Sequence, residues 1–201
     1  AFIADPGLFE PLSVVAGRLD KLEEHPTAGR GDSLSGLPVE VVEHLIRRSC
    51  EIKTDIVARD EHESGLRMHL NYGHTFAHAL EHTLGYGAIS HGTAVLVGMV
   101  CAAHLSRTLG GSADPAPLLP FLRASGTQAL RRKLGNGPVE GFVDELMLAM
   151  GRDKKNRSSR IRLVLLHDHG RPFVHEHETE RDIHEAWMAG FDAVERQAGR
   201  G

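Results

Sequence analysis

Two histidines four residues apart, with a third thirteen residues further on, are the residues of this sequence best suited to chemistry. His74 and His78 stand in the run NYGHTFAH at residues 71–78, and His91 follows. Residues four apart on an α-helix lie on one face, so the first two imidazoles can point at the same small volume. Three neutral imidazoles converging on one point suit Zn²⁺ or a similar divalent cation. The pattern therefore predicts a metal or catalytic site, which the third imidazole reaches from a neighbouring helix.

Polar residues continue this pattern upstream. Glu63, Arg67 and Asn71 precede His74 and His78 at intervals of 4, 4, 3 and 4. If the segment is helical throughout, the five positions fall within an arc of roughly 80° at about 100° per residue. Such a stripe is often only the solvated face of a helix. An acid, a guanidinium, an amide and two imidazoles nevertheless suit a polar ligand and a metal better than a Lys/Glu mixture would, although two glycines inside the segment weaken a helix.

Composition sets bounds on size, partners and location. A chain of 201 residues with a net charge of −4 can bury one core and presents no basic surface for nucleic acid. The longest apolar run, residues 94–103, is too short to span a bilayer, which needs about 20 residues. Cys50 and Cys101 lie in apolar helical patterns, which predicts buried, reduced thiols. No secretory signal is visible, so we expect a cytoplasmic protein without nucleic-acid or membrane partners.

The hydrophobic period is mostly helical. It predicts a mainly α, multi-helix domain over residues 1–201, with a small β-hairpin near the C-terminus. Helices are predicted from Pro38, along the polar stripe to Gly85, from His91 to Leu109, from Asp114, from Val139 to Met150 with an end at Gly151, and from Thr179 to Val194. Alternating apolar residues between 160 and 174 predict the hairpin, and residues 26–35 predict a mobile loop. The sequence contains no glycine-rich nucleotide-binding loop.

Seven sequence blocks resemble the C-terminal domain of 3-dehydroquinate synthase in order and spacing, over nearly the whole chain. They are EIK at 51–53, RDEHESGLR at 59–67, LNYGHTFAH at 70–78, HGTAV at 91–95, GM at 98–99, DKK at 153–155 and RLVL at 162–165. The resemblance implies a phosphorus–oxygen lyase of the shikimate pathway for aromatic amino acids. Such an enzyme cyclises 3-deoxy-arabino-heptulosonate 7-phosphate to 3-dehydroquinate with loss of phosphate. It uses NAD and a divalent metal, zinc or cobalt, and forms a homodimer.

The resemblance also implies a role for individual residues. It assigns His74 and His91 as metal ligands and His78 to the substrate phosphate and proton transfer. Substrate contacts are implied for Lys53, Glu63, Arg67, Asn71, His78 and Lys154, with Lys155 as the alternative to Lys154, and of these Lys53, Arg67, Asn71 and His78 are counted as catalytic. The residue types are appropriate, because an arginine fork and a lysine charge bind carboxylate and phosphate groups.

The sequence departs from the family pattern in three respects. The NAD-binding domain of the family lies N-terminal to the matched region and has no counterpart in these residues. The family's third metal ligand is a glutamate of a Glu-x-x-Lys helix, which would end close to Ala1, and Thr93 stands where the family usually has glutamate. We therefore expect the C-terminal part of a larger enzyme, partnered by an N-terminal half and a phosphorylated sugar acid, and inactive by itself.

Three other functions remain open. Related sugar-phosphate cyclases that make valiolone, inosose or amino-dehydroquinate share the scaffold and differ in pocket residues. A metal-dependent phosphohydrolase is suggested by His167-Asp168 in a histidine-rich helical chain. A non-catalytic helical module is the third possibility. Lys154 and Lys155 also fit a solvated basic loop, and a single histidine on an apolar helix is often only a core residue.

Overall fold

The computed structural model describes residues 3–24, 37–63, 65–124, 127–135, 139–157, 161–177 and 179–198. Only the backbone is described at 19–24, 123–124, 128–129, 152–157, 177 and 198. The α-helices are α1 (Phe9–Glu24), α2 (Val39–Arg59), α3 (His74–Leu84), α4 (His91–Thr108), α5 (Leu119–Ala124), α6 (Gln128–Gly135), α7 (Val139–Arg157) and α8 (Glu180–Ala198). Strands β1 (Ile161–Asp168) and β2 (Arg171–His177) form an antiparallel hairpin, and short 3₁₀ helices span Pro6–Leu8, Leu66–Asn71 and Ala116–Leu118. The prediction of a mainly helical fold with a hairpin near the C-terminus is confirmed.

Helix α4 is the centre of the fold, because its small and apolar residues are buried on all sides. It begins where the Ser90 Oγ accepts a hydrogen bond from the Thr93 backbone N–H at 3.1 Å, which caps the helix. Ser106, buried near its other end, donates to the Ala102 carbonyl at 2.6 Å and accepts from the Leu166 N–H at 3.0 Å. The serine thereby ties α4 to strand β1, and α3, α5 and α8 pack around the same helix.

An aromatic cluster joins α3, α7 and α8. The fully buried Trp187 packs edge-to-face on Phe76, with ring centroids 5.0 Å apart, and stacks on Phe191 at 5.4 Å. Its indole N–H lies 3.4 Å from the Met150 sulfur. Aromatic pairs of this kind add stability beyond the area they bury. The cluster fixes α3, and hence the first two histidines, against the core.

Helix α2 is attached far less firmly. Of its 21 residues only Ile56 is buried, and the side chains of Val39 and Ile46 are 71% and 60% exposed. One contact that holds it is the salt bridge between Arg48 Nε and Asp5 Oδ2 at 2.7 Å. That guanidinium lowers the pKa of Asp5. Helix α2 thus lies at the edge of the molecule with apolar residues facing outward.

Several sequence predictions need correction. Cys50 is exposed, because it lies on the outer part of α2, whereas Cys101 is buried as expected. Helix α7 continues through Gly151 to Arg157, since that glycine keeps a helical backbone. Helices α1 and α6 were not predicted, and the proposed loop at 26–35 lies outside the described residues. None of the described helices is both long enough and apolar enough to cross a bilayer.

Candidate functional site

The polar stripe is not one helix, and that prediction was wrong. The 3₁₀ helix ends at Asn71, Gly73 adopts φ +82°, and α3 begins afresh at His74. A positive φ favours glycine strongly over other residues. Close packing also requires glycine here, because a Cβ on Gly73 would come within 2.7 Å of the Met99 backbone nitrogen in α4.

The start of α3 lies directly on α4. A Cβ on Gly98 would stand 2.2 Å from the Gly73 carbonyl oxygen, so the two backbones touch at glycines on both sides. Beside them the buried Tyr72 hydroxyl donates to the Met99 carbonyl at 3.2 Å, and burial raises the pKa of that phenol. This close approach sets the register between the helix that carries His74 and His78 and the helix that starts at His91.

The three histidines meet at this junction and are called the histidine cluster below. The ring centroids of His74 and His91 are 5.4 Å apart, those of His74 and His78 are 5.9 Å apart, and those of His78 and His91 are 6.4 Å apart. His74 is half-buried, whereas His78 and His91 are exposed. The structure therefore brings together imidazoles from two helices.

The separation of the His74 and His91 rings suits a shared cation. Two imidazoles bound to one zinc ion, at Zn–N of about 2.0–2.1 Å, have ring centroids roughly 5 Å apart. Burial lowers the pKa of His74, which keeps its ring neutral and able to donate a lone pair near neutral pH. Within the described ranges, no group of three or more His, Cys, Asp or Glu side chains is arranged to hold a metal ion. The pair fits part of a metal site that needs a further ligand.

The segment before α3 carries two polar side chains that contact each other. The Asn71 amide donates to Glu63 Oε1 at 2.9 Å, and both side chains are exposed. Glu63 has φ +55°, a strained value for a residue with a side chain. Strain of this kind often occurs at functional sites.

Asp60, which the sequence analysis did not single out, organises this segment. Its carboxylate is buried, and Oδ2 accepts backbone hydrogen bonds from Gly65 at 2.8 Å and Arg67 at 2.9 Å. The Arg67 guanidinium in turn donates to the Glu61 carbonyl at 2.9 Å. The carboxylate therefore folds residues 60–67 into a compact turn. Its place in the block RDEHESGLR was the only available signal.

Removing this carboxylate should destabilise the protein. In Asp60→Ala two backbone donors lose their acceptor, and we expect a loss of about 1–3 kcal/mol in the free energy of unfolding. Asp60→Asn retains an acceptor oxygen and should lose less. Asp55→Ala is the matched control, because its ion pair with Arg59 is exposed and should change stability by less than about 1 kcal/mol. Urea unfolding measures all three, and equal losses for Asp60→Ala and Asp55→Ala would contradict the assignment.

The structure gives less information about Lys53 and Lys154, the two lysines that the sequence predicts to bind substrate. Lys53 lies exposed on α2. Lys154 lies in the last part of α7, as does Lys155, and the side chains of both fall outside the described residues. Their roles stay predictions.

A separate cleft of about 690 Å³ lies between α2, the 3₁₀ helix Leu66–Asn71 and the β-hairpin. Its lining includes Arg48, Arg59, His69 and His167, but none of the histidine cluster. Both arginines are paired with carboxylates, so we assign the cleft no ligand. His167 stacks on Phe173 at the end of β1, with ring centroids 4.0 Å apart, and is not part of the histidine cluster.

The fold is similar to that of two enzymes of known structure. The chain is similar to ValA, a 2-epi-5-epi-valiolone synthase from Streptomyces hygroscopicus subsp. jinggangensis 5008 solved with NAD⁺ and Zn²⁺ bound. The TM-score is 0.64 at 21% identity, covering 96% of this chain and 48% of that one. It is also similar to a 2-deoxy-scyllo-inosose synthase complexed with carbaglucose-6-phosphate, NAD⁺ and Co²⁺. There the TM-score is 0.56 at 20% identity, covering 88% and 51%. At these identities the likeness establishes the fold alone.

Sequence comparison is more specific. The family model described as 3-dehydroquinate synthase C-terminal matches residues 2–156, and the chain belongs to this family. A 3-dehydroquinate synthase from Salinibacter ruber (strain DSM 13855 / M31) is 38% identical over 191 residues, which is 94% of this chain and 46% of the relative. The chain thus spans about half the length of this curated relative. The family resemblance seen in the sequence blocks is confirmed.

Proposed function

We propose that this chain is the metal- and substrate-binding part of a 3-dehydroquinate synthase. The reaction is cyclisation of 3-deoxy-arabino-heptulosonate 7-phosphate to 3-dehydroquinate with release of phosphate. The observation that carries the proposal is the meeting of His74, His78 and His91 at the α3–α4 junction, in a chain of this family. A curated relative at 38% identity supports this substrate over those of the more distant cyclases.

In this proposal the histidine cluster divides into two functions. His74 and His91 hold a divalent cation, and a further anionic ligand comes from the half of the enzyme that precedes this region in the relatives. Such a cation makes a bound hydroxyl more acidic and offsets negative charge that develops on oxygen. His78 is exposed beside them, where it can exchange a proton with the substrate or its phosphate.

The polar residues before α3, together with Lys154 of α7, bind the anionic substrate. Arg67 offers a planar guanidinium to a carboxylate or phosphate, and Lys53 and Lys154 supply point charges. Once their mutual contact opens, the Asn71 amide can donate a hydrogen bond to a substrate hydroxyl, and the Glu63 carboxylate can accept one from a substrate hydroxyl. The positive charges favour a substrate that carries both a carboxylate and a phosphate.

The residues described here do not fit a dinucleotide site. Their strands form only an antiparallel hairpin, and no glycine-rich turn follows a strand into a helix, as a nucleotide-binding fold requires. We therefore propose that NAD is held mainly by the other half of the enzyme, and that the chain by itself does not turn over substrate.

A chimera tests this proposal. The chain is fused behind the unmatched N-terminal part of the Salinibacter ruber relative, and phosphate release is measured with NAD and zinc. We expect release from 3-deoxy-arabino-heptulosonate 7-phosphate by the chimera and none by the chain alone. Arg67→Ala should abolish most of this activity, whereas Arg59→Ala, on the exposed end of α2, should not.

Two outcomes would overturn it. Release of phosphate by the isolated chain would show that no second half is needed. Release from sedoheptulose 7-phosphate, with none from the carboxylate-bearing substrate, would make the protein a cyclase of the valiolone type. A folded chimera that binds NAD and zinc but acts on neither substrate would remove the catalytic proposal altogether.

A further inference from the structure

One carboxylate reaches the histidine cluster from within α3. Glu81 Oε1 lies 3.1 Å from His91 Nδ1. The Glu81 side chain is only 13% exposed, whereas that of His91 is 57% exposed. His74, His78 and Glu81 follow one another at helical spacings of four and three, so all three lie on one face of α3. The contact links this face to the first residue of α4.

The chemistry of the pair fixes where the His91 proton resides. An ionised carboxylate only accepts hydrogen bonds, so the imidazole nitrogen that faces it must carry the hydrogen. A neutral ring with its proton on Nδ1 has its free lone pair on Nε2. The same argument places the hydrogen of His74 on Nδ1, because this nitrogen faces the Tyr72 carbonyl oxygen at 3.4 Å. Both rings are therefore biased towards the same tautomer.

We propose that Glu81 is a positioning residue that holds His91 in the tautomer and orientation in which Nε2 binds a divalent cation. The inference rests on the proposed metal role of His74 and His91. Carboxylates that accept a hydrogen bond from a metal-binding histidine orient the ring and make it a better ligand. Glu81 also places a carboxylate beside the imidazoles, which partly compensates the charge of the cation.

The first measurement requires no metal. The ¹⁵N chemical shifts of the His91 ring, at a pH where the ring is neutral, report which nitrogen carries the proton. We expect the Nδ1–H form in the unmodified chain and a shift towards the Nε2–H form, which free imidazoles prefer, in Glu81→Leu. Glu81→Gln keeps an acceptor oxygen and should give an intermediate result. An Nε2–H tautomer in the unmodified chain would overturn the proposal.

The second measurement is the affinity of the folded chain for Co²⁺ or Zn²⁺ by titration calorimetry. Glu81→Leu should weaken binding by roughly 10–100-fold, and Glu81→Gln should weaken it less. Glu43→Leu removes an exposed carboxylate of α2 and is the control, with no expected change. Circular dichroism confirms that each variant is folded. Equal losses in both Glu81 variants, with an unchanged His91 tautomer, would make Glu81 a metal ligand and overturn the positioning role.

The same titration separates this inference from the proposed function. If His74→Ala weakens metal binding while Glu81→Leu does not, only the role of Glu81 is wrong. If His74→Ala leaves binding unchanged, the metal site itself is wrong, and the inference fails with it.

Discussion

His74→Ala is expected to reduce the affinity of the chain for zinc or cobalt by roughly 100-fold or more, since loss of a group that merely orients a ligand already reduces affinity 10–100-fold. The imidazole of His74 is half-buried and neutral, and its centroid is 5.4 Å from that of His91. The remaining imidazole cannot form a chelate by itself, so the loss should be nearly complete. Titration calorimetry, or the visible absorption of bound Co²⁺, measures the effect.

Two further variants test whether the loss of metal affinity is specific to His74. His78→Ala should leave metal affinity almost unchanged and instead reduce turnover in the active chimera, because His78 is assigned to the substrate. His44→Ala removes an exposed histidine of α2 and should alter neither property. A loss of metal binding in His78→Ala equal to that in His74→Ala would contradict the division of roles within the cluster.

Gly98→Ala is expected to destabilise the protein by about 3 kcal/mol or more, at the upper end of what overpacking costs. The added methyl group would stand 2.2 Å from the Gly73 carbonyl oxygen and 3.1 Å from the Ala77 nitrogen. Neither neighbour is a flexible side chain, so α3 must move away from α4. Urea unfolding measures the loss, and the folded fraction should also bind metal more weakly because the two helices that carry the histidines separate.

Gly151→Ala is the matched control. That glycine lies within α7 and a Cβ there meets nothing within 4 Å, so alanine should raise the free energy of unfolding by about 0.5–1 kcal/mol. The two substitutions add the same methyl group within a helix and differ only in what surrounds it. Similar stabilities for both variants would show that the close approach of α3 and α4 is not required.

The elements that were predicted well are those whose signal is local. Helix α4 carries small and apolar residues on all sides between a serine cap and paired glycines, and its limits match the prediction closely. The hairpin was predicted from alternation around Asp168-His169-Gly170, although β2 extends to His177. Local patterns of this kind need no knowledge of the partner element.

The features that were missed depend on contacts distant in sequence. The polar stripe seemed continuous because a glycine inside a helical pattern does not reveal whether a second backbone touches it, as Gly98 does at Gly73. Cys50 was expected to be buried because α2 is amphipathic, yet amphipathicity does not show what covers the apolar face. The Glu81–His91 contact depends on the packing of α3 on α4, which the spacing of residues alone could not give.

The weak attachment of α2 has a consequence for ligand binding. Segments with few buried residues open locally at a small free-energy cost, and their amide hydrogens exchange early. Lys53, the proposed anion-binding lysine, lies on this helix, whereas the histidines lie at the closely packed α3–α4 junction. Binding an anion through Lys53 then requires α2 to become more ordered. The conformational entropy that α2 loses reduces the affinity for the anion below what the lysine charge alone would provide.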